Sequence, residues 1–123
     1  MKKLLKTFLL LLMISLTSCT LKVDDEDNNF NTFIDITAPN QISGGNTLQL
    51  NVIIEDHDVI DKVYIEIPQI NIDLEYNFNE SEIEINEDFI IDVNTQQTTS
   101  YIKVRVKDND GFFTTKTKEI IFN

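Results

Sequence analysis

Two short clusters of oxygen-bearing side chains are the first chemistry the sequence offers. Glu55, Asp56, Asp58 and Asp61 crowd one stretch, and Asp108, Asn109 and Asp110 crowd another. Carboxylate and amide oxygens are hard ligands, and Ca²⁺ takes about six to eight of them from flexible loops. Asp and Asn are also the residues that turns prefer, because their side chains bond the backbone two residues on. Three aromatic residues form a second candidate set: Tyr64, and the pair Phe112-Phe113 beside the later acidic cluster. Aromatic faces next to carboxylates suit stacking on sugar rings and hydrogen bonding to their hydroxyls. The competing reading is that one Phe is core and Tyr64 covers a sheet, since isolated exposed apolar residues are common.

Covalent and general acid–base chemistry find little support. The only thiol is Cys19 and the only imidazole is His57, which sits among Glu55, Asp56 and Asp58 in an expected turn. Nucleophilic catalysis needs an activated Ser, Thr or Cys beside a base. One Cys also excludes an internal disulfide framework. Acid pairs such as Glu82 and Glu84 are inevitable among 21 acidic residues. They carry no weight as a glycosidase pair. Gly44-Gly45 lacks the spacing of a phosphate-binding loop. The expectation is a protein that is not an enzyme. The 123 residues carry 21 acids against 10 bases, a formal charge of −11. That balance excludes a nucleic-acid binder, which must neutralise phosphates with Lys and Arg.

The chain opens on a targeting segment. Lys2, Lys3 and Lys6 form a basic start, and Leu4, Leu5 and Phe8 to Leu16 form an apolar run too short to span a bilayer as a helix. It closes on Leu16-Thr17-Ser18-Cys19. This order resembles the lipobox of bacterial lipoproteins. The resemblance implies removal of residues 1–18 and diacylation of the Cys19 thiol, giving a membrane partner through a lipid anchor. Each buried methylene of such an anchor contributes about 0.8 kcal/mol. Residues 19–31 follow as the lipidated Cys and an acidic tether, with Lys22 and then Asp24 to Asp27. Four consecutive acids cannot pack and stay solvated. The acidic run after the Cys is similar to the surface-export signal of Bacteroidetes lipoproteins, which implies an outer-membrane protein facing outward. A plain flexible linker is the other reading.

What must position the candidate residues is a set of strands. The chain has one Ala, at position 38, and no Trp, while β-branched residues are plentiful. The strongest helix former is nearly missing, so residues 32–123 are expected to be all-β. Phe33 to Thr37 reads as a strand closed by Pro39-Asn40, and Ser43-Gly44-Gly45-Asn46 as a turn. Leu48, Leu50, Val52 and Ile54 alternate with polar residues, the period of a half-buried strand. A loop at Asp56-His57-Asp58 precedes Val63, Ile65 and Ile67, with Pro68 as the stop. Ile70, Ile72, Leu74, Tyr76 and Phe78 share one face of the next strand. Ile83, Ile85, Phe89, Ile91 and Val93 share another, interrupted by Glu87. Either a turn at Asn86-Glu87-Asp88 separates two short strands, or one strand carries a bulge. Ile102, Val104 and Val106 point inward from the sixth strand. After the Asp108-Asn109-Asp110-Gly111 turn, Phe112 to Phe122 forms a last, edge strand defended by Lys116 and Lys118.

Seven strands in this span match the immunoglobulin-like count. The run Tyr101 to Gly111 resembles the last hairpin of bacterial Ig-like, cadherin-like and PKD-like domains, and the combination is similar to uncharacterised Ig-like lipoproteins of Bacteroidetes. The resemblance implies a seven-stranded antiparallel immunoglobulin-like β-sandwich. In that strand order the two acidic clusters meet at one end, so Asp56, Asp58, Asp108 and Asp110 become candidate Ca²⁺ ligands. Tyr64, Phe112 and Phe113 remain the candidate ligand-binding residues. Three functions are open: a lipid-anchored surface module that binds a protein without catalysis, an accessory glycan-binding lipoprotein of a polysaccharide-uptake system, and an envelope inhibitor or immunity-type lipoprotein that holds a basic partner by charge.

Overall fold

The computed structural model describes residues 32–123. The targeting segment, Cys19 and the acidic run Asp24 to Asp27 lie outside the described residues. Six strands follow one another: β1 (Thr32–Thr37), β2 (Gln41–Ile42), β3 (Thr47–Ile67), β4 (Ile72–Ile90), β5 (Thr98–Asp108) and β6 (Phe113–Phe122). A single 3-10 turn, Pro68–Ile70, links β3 to β4, and Asn71 beyond it takes the left-handed conformation at φ 55°. Proline at the first position and the small polar Asn at the left-handed one are what such a reversal favours.

β3 and β4 form one long antiparallel hairpin that serves both layers of the fold. Its open half, Thr47 to Glu55 against Glu82 to Ile90, pairs further with β1. Its closed half, Lys62 to Ile67 against Ile72 to Asn77, pairs further with β5, which carries β6 and β2 in turn. The register breaks where one half becomes the other. There Asp56 to Val59 of β3 face only Ser81 of β4, and two residues of β4, Phe78 and Asn79, face Asp61. Such bulges add local twist and bend the strand, which turns the sheet back over its own apolar side. Lys116 closes the opposite side, donating from Nζ to the Ile34 carbonyl at 2.9 Å, and Lys118 reaches the Asn40 side chain at 2.9 Å.

The expected seven antiparallel strands are therefore corrected to six. The two strands expected on either side of Asp56-His57-Asp58 are one strand, β3, because the acidic residues bulge out while the ladder continues. The two expected around Asn79 to Glu82 are likewise one strand, β4. No turn forms at Asn86-Glu87-Asp88, where the register runs unbroken. The sheet is also mixed, since β2 pairs with β6 in parallel through Gln41 and Ile42. β6 is consequently not a bare edge along its whole length, and its Lys116 holds β1 of the other layer.

The core is made by period-two alternation. Leu48, Val52, Ile54, Val63, Ile65 and Ile67 of β3 are wholly buried, as are Ile102 and Val104 of β5. Each such side chain contributes about 1.5–3 kcal/mol over its exposed state. On β4 the pattern is uneven. Ile83 and Ile85 are buried, but Ile72, Leu74, Tyr76 and Phe78 are only half-buried against the core. Val93, expected on the inward face, lies beyond the end of β4 and is 74% exposed.

Candidate functional site

At one end of the sandwich the β3 bulge and the β5–β6 turn bring the two acidic clusters together. One carboxylate oxygen from each of Asp56, Asp58 and Asp108 lies within 4.8 Å of the others. Asp110 joins them by a side-chain hydrogen bond to Asp58. The cluster is assembled by backbone bonding. Asp56 Oδ1 accepts from the Asp58 amide at 2.8 Å, and Asp56 Oδ2 accepts from the Thr32 hydroxyl at 2.6 Å. Asp108 Oδ1 accepts from the amides of Asp110 and Phe112, both at 2.9 Å. The Asn109 amide donates to the Val59 carbonyl at 2.8 Å and ties the turn to the bulge. Gly111 supplies the positive φ, 90°, that the turn needs.

Two of the carboxylates, Asp56 and Asp108, are thus buried pieces of turn architecture. Asp58 is exposed. Its hydrogen bond with Asp110 holds its carboxyl above the usual carboxylate range, with the charges of Asp110, Asp56 and Asp108 adding in the same direction. Mutual repulsion of this kind is relieved by a proton or by a cation. Asp56, Asp58 and Asp108 are the residues that could hold a hard cation, which would draw further oxygens from Asp110 or solvent. His57 lies exposed in the bulge and touches none of them by hydrogen bond among the described contacts.

The aromatic candidates separate. Tyr64 of β3 and Phe113 of β6 share the outward face of the β4–β3–β5–β6 layer, on either side of Arg105 in β5. The Arg105 guanidinium sits 4.0 Å from the Phe113 ring centre and 5.6 Å from that of Tyr64. Tyr64 is directly opposite Arg105 in the β3–β5 register. A guanidinium over an exposed aromatic ring is worth about 0.5–1 kcal/mol, and its N–H edge stays free for a ligand. Lys62 and Lys107 on the same face are paired with Glu75 at 3.2 Å and with Asp61 at 3.7 Å. Lys103, Arg105, Tyr64, Glu66 and Asp73 line a shallow depression of about 130 Å³. Phe112 does not join this face. It belongs to the turn, where it is 52% exposed and its backbone serves Asp108.

The central residue, Arg105, was legible only as one of an outward basic stripe. It is the one arginine of the sequence, and its alternation with Val104 and Val106 already gives its face. What is missing from the sequence is the register that sets Tyr64 across from it. Thr32 was equally hidden, because its bond to Asp56 depends on the β1–β3 pairing.

No protein-family model matches the chain, and no curated protein does. Solved structures do. The PKD domain of a peptidase from a Thermoplasmatales archaeon superposes with a TM-score of 0.55 at 16% identity, covering 73% of this chain and 92% of that one. The sulfur carrier protein SoxY from Chlorobium limicola f thiosulfatophilum gives 0.54 at 14% identity, covering 73% and 78%. The domain is Ig-like. At such identities the likeness is one of fold, and sandwiches of this kind host many functions. The expected all-β class and the PKD-like resemblance hold in this coarser form.

Proposed function

We propose that this chain is a lipid-anchored cell-surface module that binds a partner without catalysis. The observation that carries the reading is the Arg105 guanidinium held between Tyr64 and Phe113 on an open sheet face. Aromatic rings and arginine are the groups that dominate interface energetics, because they offer large contact area at low entropic cost. An Ig-like scaffold is in keeping with a binding role. The lipobox-like Leu16 to Cys19 and the acidic run after it support display on the outer membrane, through Cys19, facing outward.

A glycan is the second reading. Glu66 and Asp73 border the same depression as Tyr64 and could accept from sugar hydroxyls beside the ring. Both readings are tested by capture from the native cell surface with the wild-type chain and with Arg105→Ala, alongside a screen against defined glycans. The wild type is expected to retain a protein or a glycan that the variant loses. Equal retention by both chains overturns the role of this face, and resistance to protease added to intact cells overturns surface display.

A further inference from the structure

The free side of β4 is a second surface, bordering the Arg105 face at Asp73. Among the described residues β4 pairs with β3 alone, so its other side presents a row of unpaired backbone groups along 19 residues, about 60 Å of strand. An edge strand bonds its neighbour with alternate amides and carbonyls, and the remaining ones point away. The side chains along this edge are of two kinds. β4 carries seven acidic residues between Asp73 and Asp88 and neither Lys nor Arg. The inward row of its first half, Ile72, Leu74, Tyr76 and Phe78, stays half-buried. The residues opposite in β3, Val63, Ile65 and Ile67, are wholly buried. The core is covered on the β3 side and left open on the far side of β4.

We infer that the edge of β4 from Ile72 to Glu80 receives an extended cationic segment of a partner protein as an added strand. Main-chain bonds to the free groups of β4 would supply the pairing. Residues directly across a ladder lie on the same face. Apolar side chains of the added strand therefore cover Leu74 and Tyr76, while its alternate basic side chains meet Asp73 and share Glu75 with Lys62. The same carboxylates repel a second copy of β4, which carries no cation to meet them. The basic strand of this chain with a partly free side, β6, has Lys116 and Lys118 engaged by Ile34 and Asn40, so the occupant is a basic strand of another protein.

The test uses the full chain in detergent and a synthetic peptide of about eight residues alternating lysine with valine, a typical strand length. The peptide is expected to slow hydrogen exchange at least tenfold at alternate amides between Ile72 and Glu80. Its affinity is expected to drop about tenfold as salt rises from low to several-fold physiological strength, since the contacts are exposed charges. A peptide N-methylated at alternate amides should lose binding, as should the wild-type peptide with the Asp73→Lys, Glu80→Lys variant. Asp35→Lys, on the outer face of the other layer, should bind the peptide as the wild type does, which separates this edge from the overall charge. Unchanged exchange across Ile72 to Glu80, equal binding of the N-methylated peptide, or protection of these amides by self-association without peptide overturns the inference.

Discussion

Tyr76 and Glu87 lie on the same strand, yet their side chains meet across the opening between the two layers. Burial, followed by the Glu87 carboxylate, pushes the Tyr76 phenol up to about 12. The contact exists because β4 bends between them. It also accounts for an acid at an inward position of the strand, where Leu50 is its neighbour. The neutral phenol is the form the fold favours. Its contribution is complete below the ordinary tyrosine value near 10 and is lost as pH rises through about 12. Spectroscopic titration should show one tyrosine ionising late, and Glu87→Gln should bring it earlier. Tyr76→Phe should cost about 0.5–1.5 kcal/mol at neutral pH. A Glu87→Gln titration that overlays the wild type would contradict the contact.

Asp58 should respond to pH in its own window. Its folded-state carboxyl is raised above 3.8, chiefly by the bond to Asp110. The stabilising proton is therefore fully present below the ordinary value and is lost as pH rises through the raised one. Asp58→Asn keeps a donor toward Asp110 and removes the repulsion. Its thermal midpoint should exceed that of the wild type at neutral pH and converge with it in acid. Millimolar Ca²⁺ should raise the wild-type midpoint and leave Asp58→Asn unmoved if the cluster takes a cation. Melts with added Ca²⁺ and with chelator measure both effects.

Ile65 sits in the middle of the closed half of the hairpin. It is wholly buried and stands between Leu74 of β4 and Val104 of β5. Ile65→Ala should cost about 2–5 kcal/mol, the range for a large-to-small change that leaves a cavity. Denaturant melts that shift by under 1 kcal/mol, a bound on the same scale, would show that the site collapses freely.

Two of the three turn glycines, Gly44 and Gly111, should differ. A methyl at Gly44 would lie 2.8 Å from the Asp92 carbonyl oxygen and 2.9 Å from the Val93 Cα, both backbone. At Gly111 nothing lies within 4 Å, but φ is +90°. Gly111→Ala should cost about 1–2 kcal/mol, the strain of a left-handed L-residue. Gly44→Ala should cost more, since the backbone at the β4–β5 connection must shift. Paired denaturant melts rank them, and the reverse order would refute this placement.

Strand content and facing were readable from the residues because alternation needs no partner. Val63, Ile65 and Ile67 point inward whichever strand lies beside them, and so do Ile102, Val104 and Val106. The joining of strands was not readable. Asp56-His57-Asp58 has the composition of a loop, and only the pairing of Thr32 with Asp56 shows that the ladder continues through it. Glu87 looked like an interruption because its partner, Tyr76, is eleven residues away and arrives only when the strand bends. The meeting of Asp56, Asp58 and Asp108 followed from strand order, whereas the Arg105 stack needed register, a property of two strands at once. The acids are also spread more widely than one tip. Asp35, Glu55, Glu82 and Glu84 occupy the outer face of the β1–β3–β4 layer, opposite the layer that carries Arg105.

A hairpin that runs through both layers leaves neither layer able to melt alone. Unfolding β3 at the Thr47 end strips both β1 and β4 of the one ladder partner they have among the described residues, and the same strand continues into the ladder that carries β5. The sheet therefore has no internal seam along which a partly unfolded species could persist. Loss of the first layer and loss of the second become one all-or-none event. The single reversal at Asn71, which brings the closed half of the hairpin together over a short loop, is the natural starting point for the reverse journey from the unfolded chain.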